Sequence, residues 1–348
     1  MGLTENRYVR LIGEVTAAGG GTPRHRAWPT LEATAAGDLV LAYRESVDHH
    51  VTPQGVVCTT RSADGGRTWS PPEPLAAAPG LISYTNHGMT RLRDEGLLLP
   101  VIAGRPSADG FHARGRYTRS RDGGRTWERF GLVIDFDFIH PQERGFPYGR
   151  IQEMPDGRLM VPFYGVPREA SGADRRMVAM IFSADNGDSW TESSIVYRAD
   201  SGQICPSETD VIDLPDGRYL AIMRGNARNL LFRSHSEDQG HSWSPLEPTE
   251  MPGHCPALLR LRSGVLLCAY RDRRDGHAGM SCAASSDGGL TWTGLGHLYR
   301  GANWDCAYPS MVALSDGRVL CAYYTAAEET ESGALNCEIR LLQLEDLT

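Results

Sequence analysis

Apolar runs of four to seven residues, rich in Val, Leu and Ile, alternate along the chain with tight polar turns. Six stretches share one layout: an apolar run, an Asp-Gly turn or a substitute for it, and a second apolar run. They are "WPTLEATAAGDLVLAYR", "HGMTRLRDEGLLLPVIAG", "YGRIQEMPDGRLMVPFYG", "ETDVIDLPDGRYLAIMR", "CPALLRLRSGVLLCAYR" and "YPSMVALSDGRVLCAYY". Asp-Gly between such runs is the strongest short hairpin signal, because a type I′ turn needs positive φ at its central residues. Each stretch therefore predicts a β-hairpin closed by a type I′ turn.

A second pattern interleaves with the first. The motif S-x-D-x-G-x-[ST]-W begins at Ser62, Ser120, Ser183, Ser236 and Ser285. Each copy sits between two further short runs, such as "GVVCTTR" before the first, and predicts another hairpin. The unit is four strands, repeated at a period of roughly 47 to 63 residues. That repeat predicts an all-β, six-bladed β-propeller of four-stranded antiparallel blades. The chain ends in "CEIRLLQLEDLT", which reads as the third strand of the last blade. The N-terminal "RYVRLIGEVTA" then supplies its missing outer strand and closes the ring, removing an open edge. With no long helix-period segment and no linker, residues 1–348 read as a single domain.

The repeated box reads as scaffold. Its aspartate can accept hydrogen bonds from backbone N–H groups of its own turn, and its glycine supplies positive φ. Trp69, Trp127, Trp190, Trp243 and Trp292 fill one slot, a large apolar side chain once per unit. Catalysis needs one asymmetric site, not five equal copies around a ring.

Function is sought where matched positions differ. Eight residues before the Asp of each hairpin, or its substitute, stand Trp28, His87, Tyr148, Glu208, Cys255 and Tyr308. Seven residues after the Gly stand Arg44, Ala103, Tyr164, Arg224, Arg271 and Tyr324. Both slots open on the same face of the ring, since the two strands run in opposite directions. Arginines at one slot in blades 1, 4 and 5 suit an anion, and a guanidinium can hold a carboxylate with two bonds.

Charge narrows the partners. A net charge of -8 opposes nucleic acid or an anionic membrane as the main partner. There is no signal-like apolar segment and no long apolar span, so a cytoplasmic protein is expected. The eight cysteines are scattered and fit a reduced, buried role. No H-x-H or H-E-x-x-H spacing occurs and the histidines are dispersed, so neither a metal site nor a cofactor is expected.

The box resembles the Asp-box, or BNR repeat, of the sialidase (neuraminidase) superfamily, and its copies cover nearly the whole chain. Asp-boxes also occur outside sialidases, so the resemblance implies the propeller more firmly than the activity. Sialidases hold a sugar carboxylate with three arginines and use a tyrosine nucleophile, a glutamate that activates it and an aspartic acid/base. "SETDVIDLPDGRYLAIMRGN" is similar to the segment with that glutamate and the second arginine, which implies Glu208 and Arg224. "AYPSMVALSDGRVLCAYY" is similar to the nucleophile segment and implies Tyr308. The third arginine is Arg271 by register, with Arg273 and Arg274 close behind. A neutral phenol suits a sugar whose anomeric carbon bears a carboxylate, because a carboxylate nucleophile would be repelled. The resemblance thus implies exo-sialidase-like hydrolysis of a terminal sialic acid or related ulosonic acid, with a carbohydrate substrate as partner.

Departures keep other readings open. The family's Arg-Ile-Pro motif is replaced by "RHRAWPTL", with Ala27 in the arginine slot and Arg26 one residue off. A one-residue slip turns a strand side chain to the other face, so Arg44 is the substitute. The acid/base loop "YRESVDHHVTPQG" offers Asp48, His49 and His50. The family's late supporting glutamate is replaced by Tyr324 or Thr325, with Glu328 and Glu329 nearby. A lyase or another glycosidase acting on uronic or other sugars fits these changes, with a histidine as base. A non-catalytic carbohydrate-binding propeller is the third reading, which the Glu208–Tyr308 pair argues against.

Overall fold

A computed structural model describes residues 6–22, 24–49, 55–75, 82–107, 110–128, 136, 139, 145–168, 176–199 and 204–348. Six small antiparallel sheets stand in a ring, as the repeat predicts. Blade 1 holds His25–Ala33, Leu39–Ser46, Val56–Ser62 and Glu73–Pro74, and blade 2 holds Ile82–Thr85 with Thr90–Arg91, then Leu97–Ser107 and Gly110–Ser120. Blade 3 holds Gly145–Pro147 with Gln152–Glu153, then Leu159–Gly165, Met177–Ser183 and Glu192–Arg198. Blade 4 holds Pro206–Asp213, Tyr219–Gly225, Leu230–Ser236 and Glu247–Pro248. Blade 5 holds His254–Arg260, Leu266–Asp272, Gly279–Ser285 and Thr293–Arg300. In blade 6, Ala307–Ala313, Arg318–Tyr324 and Ile339–Asp346 are followed by Val9–Ala18 as the outer strand, so the N-terminus closes the ring.

The hairpin turns differ from the expected type. Gly37, Gly157, Gly217, Gly264 and Gly317 have φ between 86° and 93°, but the residues before them do not take positive φ. The Gly37 amide donates to the Thr34 carbonyl (3.0 Å) and the Thr34 amide to the Asp38 carbonyl (2.7 Å). This is a longer loop in which a type I turn ends on a left-handed glycine, not a two-residue type I′ turn. In blade 2 the left-handed residue is Glu95 (φ 66°) rather than Gly96. Its amide donates to Leu92 O as that of Gly157 does to Met154 O. The slots of blade 2 therefore shift by one, to Asn86 and Ile102, and His87 and Ala103 fall past them.

The boxes behave as braces. The Asp64 carboxylate accepts from the Arg67 and Thr68 amides (2.9 Å each), the Thr68 hydroxyl (2.6 Å) and the Ser62 hydroxyl (2.8 Å). The same ladder forms at Asp122 and Asp287, and at Asp185 and Asp238 without the amide three residues on, which donates to the aspartate's main-chain carbonyl instead. Strand pairing sets Ser62 opposite Leu39, at the end of the hairpin turn, so the boxes lie on the face away from the open slots. Each box also docks on the blade before it. Gly124 abuts Val40, Gly187 abuts Leu98, Gly240 abuts Met160, Gly289 abuts Leu220, and Gly66 meets Leu320 and Leu341 of blade 6. Blade 6 has no box; it shares an apolar cluster with blade 5, and at the turns Arg262 of blade 5 donates to Ser315 O (2.6 Å) and, through its amide, to Asp346 (3.2 Å).

The axis of the ring is filled by polar cross-links. The Asp210 carboxylate of blade 4 accepts from the Leu258 amide of blade 5 (2.7 Å) and the Arg150 amide of blade 3 (2.9 Å), and meets His87 Nε2 of blade 2 (3.2 Å). The Arg150 guanidinium reaches on to the Met311 carbonyl of blade 6 and lies 3.9 Å from Glu32 of blade 1.

Candidate active site

Four inner strands break register where the slots fall. Trp28–Pro29, Ser207–Glu208, Cys255–Pro256 and Tyr308–Pro309 each oppose a single residue across the hairpin. These are β-bulges, which re-aim side chains at the end of a ladder. Trp28, Cys255 and Tyr308 take φ of 56°, 55° and 51°, which is uncommon without a glycine. The proline that follows each of the three has no N–H to leave unpaired within the bulge.

Two bulges bring Glu208 and Tyr308 together. The Tyr308 hydroxyl donates to Glu208 Oε1 at 2.8 Å, in a buried setting. Glu208 Oε2 accepts from Arg224 Nη1 and lies 3.7 Å from Cys255 Sγ. Arg271 stacks over the Tyr308 ring, its guanidinium carbon 4.7 Å from the centroid. Burial alone would raise the Glu208 carboxyl, but Arg224, Arg271 and the tyrosine hydrogen bond pull it down to about 2. Burial pushes the Tyr308 phenol well above its ordinary value, helped by Cys255 and Glu208 and opposed by Arg271 and Arg224.

The neighbourhood is rich in unsatisfied buried atoms. Arg271 Nε and Nη1, Arg224 Nε, both ring nitrogens of His254, Tyr148 Oη, Asn86 Nδ2 and Asp48 Oδ1 have no hydrogen-bond partner among the described residues. Buried polar groups normally have partners, and the free atoms of Arg271 and Arg224 lie beside Glu208 and Tyr308, where a bound anion could meet them. His254 faces Arg271 across the strand pair, and burial with the two arginines drives it down to about 3, leaving it neutral. Neither His254 nor Asn86 falls at a matched slot of the sequence alignment. Only the blade 2 turn, correctly registered, picks out Asn86.

The remaining candidates separate clearly. Arg273 stacks on Trp304 (4.9 Å) and Arg274 pairs with Asp272 (2.6 Å), so only Arg271 of the three covers Tyr308. Arg44 is fully buried; it donates to Ser46 Oγ (2.8 Å) and Asp48 O (3.0 Å) and stacks on Trp28 (5.1 Å). It braces the loop that carries Asp48. Arg26 turns away to Glu45 (3.2 Å) and the carbonyls of Gly20 and Thr22, the outcome of its one-residue offset. His87 belongs to the axial cross-link, and Tyr148 packs edge-on against it (5.8 Å). Tyr324 is buried beside Tyr308, with ring centroids 6.2 Å apart. Tyr164 packs on Phe146. Glu328 and Glu329 are exposed in a short outlying hairpin. His50 lies outside the described residues.

A second cluster adjoins the pair. Asp305, in the loop before Tyr308, meets His25 Nε2 (3.0 Å) and His49 Nδ1 (2.8 Å) and accepts from the Tyr324 hydroxyl (2.8 Å). The ligand atoms of His25, His49 and Asp305 lie within 4.8 Å of one another, as do those of Asp272, His277 and His297. Histidines dispersed in sequence are therefore gathered in space, which corrects the argument from spacing. Asp272 is already committed to Arg274, and both oxygens of Asp305 already take donors.

The profile of the BNR repeat-like domain matches residues 84–321. The chain belongs to that family. This BNR propeller is similar to a sialidase of Micromonospora viridifaciens, 25% identical over 338 residues, which cover 85% of the chain and 49% of the relative. A sialidase of Paraclostridium sordellii is 25% identical over 244 residues, covering 63% of the chain and 57% of the relative. The chain thus spans about half the length of the curated relatives it matches. Among solved structures, a protein of unknown function from Dyadobacter fermentans superposes with a TM-score of 0.83 at 22% identity, covering 97% of this chain and 99% of that one. The Hadza microbial sialidase Hz136 gives 0.72 at 19% identity, covering 91% and 65%. An alpha-L-arabinanase of Penicillium chrysogenum gives 0.69 at 14% identity, covering 97% and 99%. The BNR propeller is sialidase-like in sequence, and its fold is shared with that sialidase and that arabinanase.

Proposed function

We propose that the BNR propeller is a retaining exo-glycosidase that removes a terminal sugar bearing a carboxylate at its anomeric carbon, a sialic acid or related ulosonic acid. The observation that carries this is the 2.8 Å hydrogen bond from Tyr308 to Glu208 beneath the guanidinium of Arg271, whose Nε and Nη1 have no hydrogen-bond partner among the described residues. A carbohydrate-binding site has no use for a phenol held on a buried carboxylate.

The electrostatics suit that chemistry. Arg271 and Arg224 supply two guanidinium groups for the substrate carboxylate. A carboxylate that takes Arg224 competes with Glu208 for it and removes the main force holding Glu208 down, so Glu208 becomes a stronger base as substrate binds. Tyr308 then passes its proton to Glu208 while its oxygen attacks the anomeric carbon. Arg271, stacked on the ring, favours the phenolate that develops.

The test is hydrolysis of 4-methylumbelliferyl N-acetylneuraminide beside a panel of uronic-acid oligosaccharides. Fluorophore release that disappears in Tyr308→Phe supports the proposal. An unsaturated product absorbing in the ultraviolet, without fluorophore release, replaces it with the lyase reading.

A further inference from the structure

The sialidase resemblance places the proton-transferring residue at Asp48, but the structure points beside it. Asp48 Oδ1 is buried without a hydrogen-bond partner among the described residues, and its main-chain oxygen is held by Arg44. Among the described residues no hydrogen bond orients that oxygen. The next residue is built differently. His49 Nδ1 lies 2.8 Å from Asp305 Oδ1, its ring stands edge-on to Trp28 (5.5 Å) and Trp304 (5.2 Å), and 29% of its side chain is accessible.

Asp305 fixes what His49 can do. Burial would raise the Asp305 carboxyl, but the hydrogen bonds and charges of His25 and His49 hold it below the usual carboxylate range. An ionised carboxylate only accepts, so Nδ1 of His49 carries a proton. Proton exchange must then run through Nε2. His25, fully buried, and Tyr324 complete the support of the same carboxylate. This cluster touches the nucleophile's surroundings twice: Trp28 meets the Tyr308 ring at 6.4 Å, and Tyr324 meets it at 6.2 Å.

We propose that His49 is the acid/base residue of this site, with Asp305 as its positioning residue, an inference that rests on the glycosidase reading above. In the first step Tyr308 Oη bonds to the anomeric carbon and its proton passes to Glu208. The bond to the leaving oxygen breaks, and that oxygen takes the Nε2 proton of a protonated His49. In the second step water attacks the same carbon and gives a proton to His49 Nε2. The bond to Tyr308 breaks, and its oxygen recovers the proton from Glu208. A divalent ion on His25, His49 and Asp305 is the competing use of the cluster. It would have to break the hydrogen bonds of both histidines to Asp305 and share a carboxylate that also holds Tyr324, close to the positive charge of Arg271, which also acts on Tyr324 and Cys306.

The experiment compares 4-methylumbelliferyl N-acetylneuraminide, whose phenolic leaving group needs little protonation, with sialyllactose, whose sugar hydroxyl needs it. His49→Ala should lose ~10²–10⁴-fold on sialyllactose, the usual contribution of acid–base catalysis, and much less in the first step on the aryl substrate. Azide should restore its turnover by giving a glycosyl azide of retained configuration. Asp305→Asn should lower kcat with the same dependence on leaving group and little change in KM, which a general loss of folding would not produce. The proposal is overturned if His49→Ala keeps the parent's ratio between the two substrates, or if azide rescues Asp48→Asn instead. Loss of activity on chelation, restored by zinc, overturns it in favour of a metal. Full activity in Tyr308→Phe is a different failure: it sinks the Tyr308–Glu208 reading itself.

Discussion

Arg271 lies over the ring of Tyr308, buried, with Nε and Nη1 lacking any hydrogen-bond partner among the described residues. Leaving buried polar atoms unpaired costs about 1–3 kcal/mol, and a charge more so. Arg271→Met should therefore raise the melting temperature, by roughly 2 °C or more for a chain of this size. The same variant should lose binding of carboxylate sugars, seen as a large rise in KM. A calorimetric scan beside a titration with N-acetylneuraminic acid checks both halves; a lower melting temperature contradicts the unpaired-charge argument.

Tyr308→Phe removes one hydroxyl and leaves Glu208 paired with Arg224. Stability should change by only about 1 kcal/mol, while kcat falls by at least ~10³-fold. Matched melting curves with unmatched rates are the expected pair of results.

Glu208 sits near 2 in the fold against an ordinary value of 4.5. The unfolded chain therefore binds this proton at higher pH than the native chain does. Its contribution to stability is fully present above about pH 5 and is lost as pH falls toward 2. Glu208→Gln should have a flatter melting-temperature profile between pH 5 and pH 2.5 than the parent. Parallel profiles for the two proteins would mean that Glu208 is not held down by its arginines.

Most of the architecture was legible in sequence because it repeats. Six turns and five boxes impose a period that no single-domain alternative shares, and the unmatched last strand required a partner from the N-terminus. The repeat also located Glu208, Arg224, Arg271 and Tyr308, since departures from a repeat are visible without a structure. It misplaced blade 2, where Glu95 takes the left-handed position usually left to glycine. A turn motif cannot reveal that exchange, so His87 stood in the place of Asn86. Asp305 and His25 stayed hidden for another reason. Their contact joins residues 280 apart in sequence, one from a loop and one from a strand position before the slot, and no period relates them.

Gly124 offers a test of the brace away from the site. Its φ is +79°, and a Cβ there would come within 2.8 Å of Val40. Gly124→Ala should cost about 1–2 kcal/mol from the left-handed backbone alone and more from the clash. KM and kcat of the folded fraction should stay at parent values, because the boxes lie on the far face of the ring. Altered KM in this variant would show that the box and the pocket communicate.

The docking of each box on the blade before it has a consequence for synthesis. As the chain emerges from the N-terminal end, the boxes of blades 2 to 5 each find a finished blade to lock onto, so the propeller can be built one blade at a time. Only the first box must wait, because Gly66 needs Leu320 and Leu341. The N-terminal strand waits for the same partner, Ile339–Asp346. Ring closure is therefore one late event, in which the first box and the strand Val9–Ala18 are held unpaired until the last blade arrives.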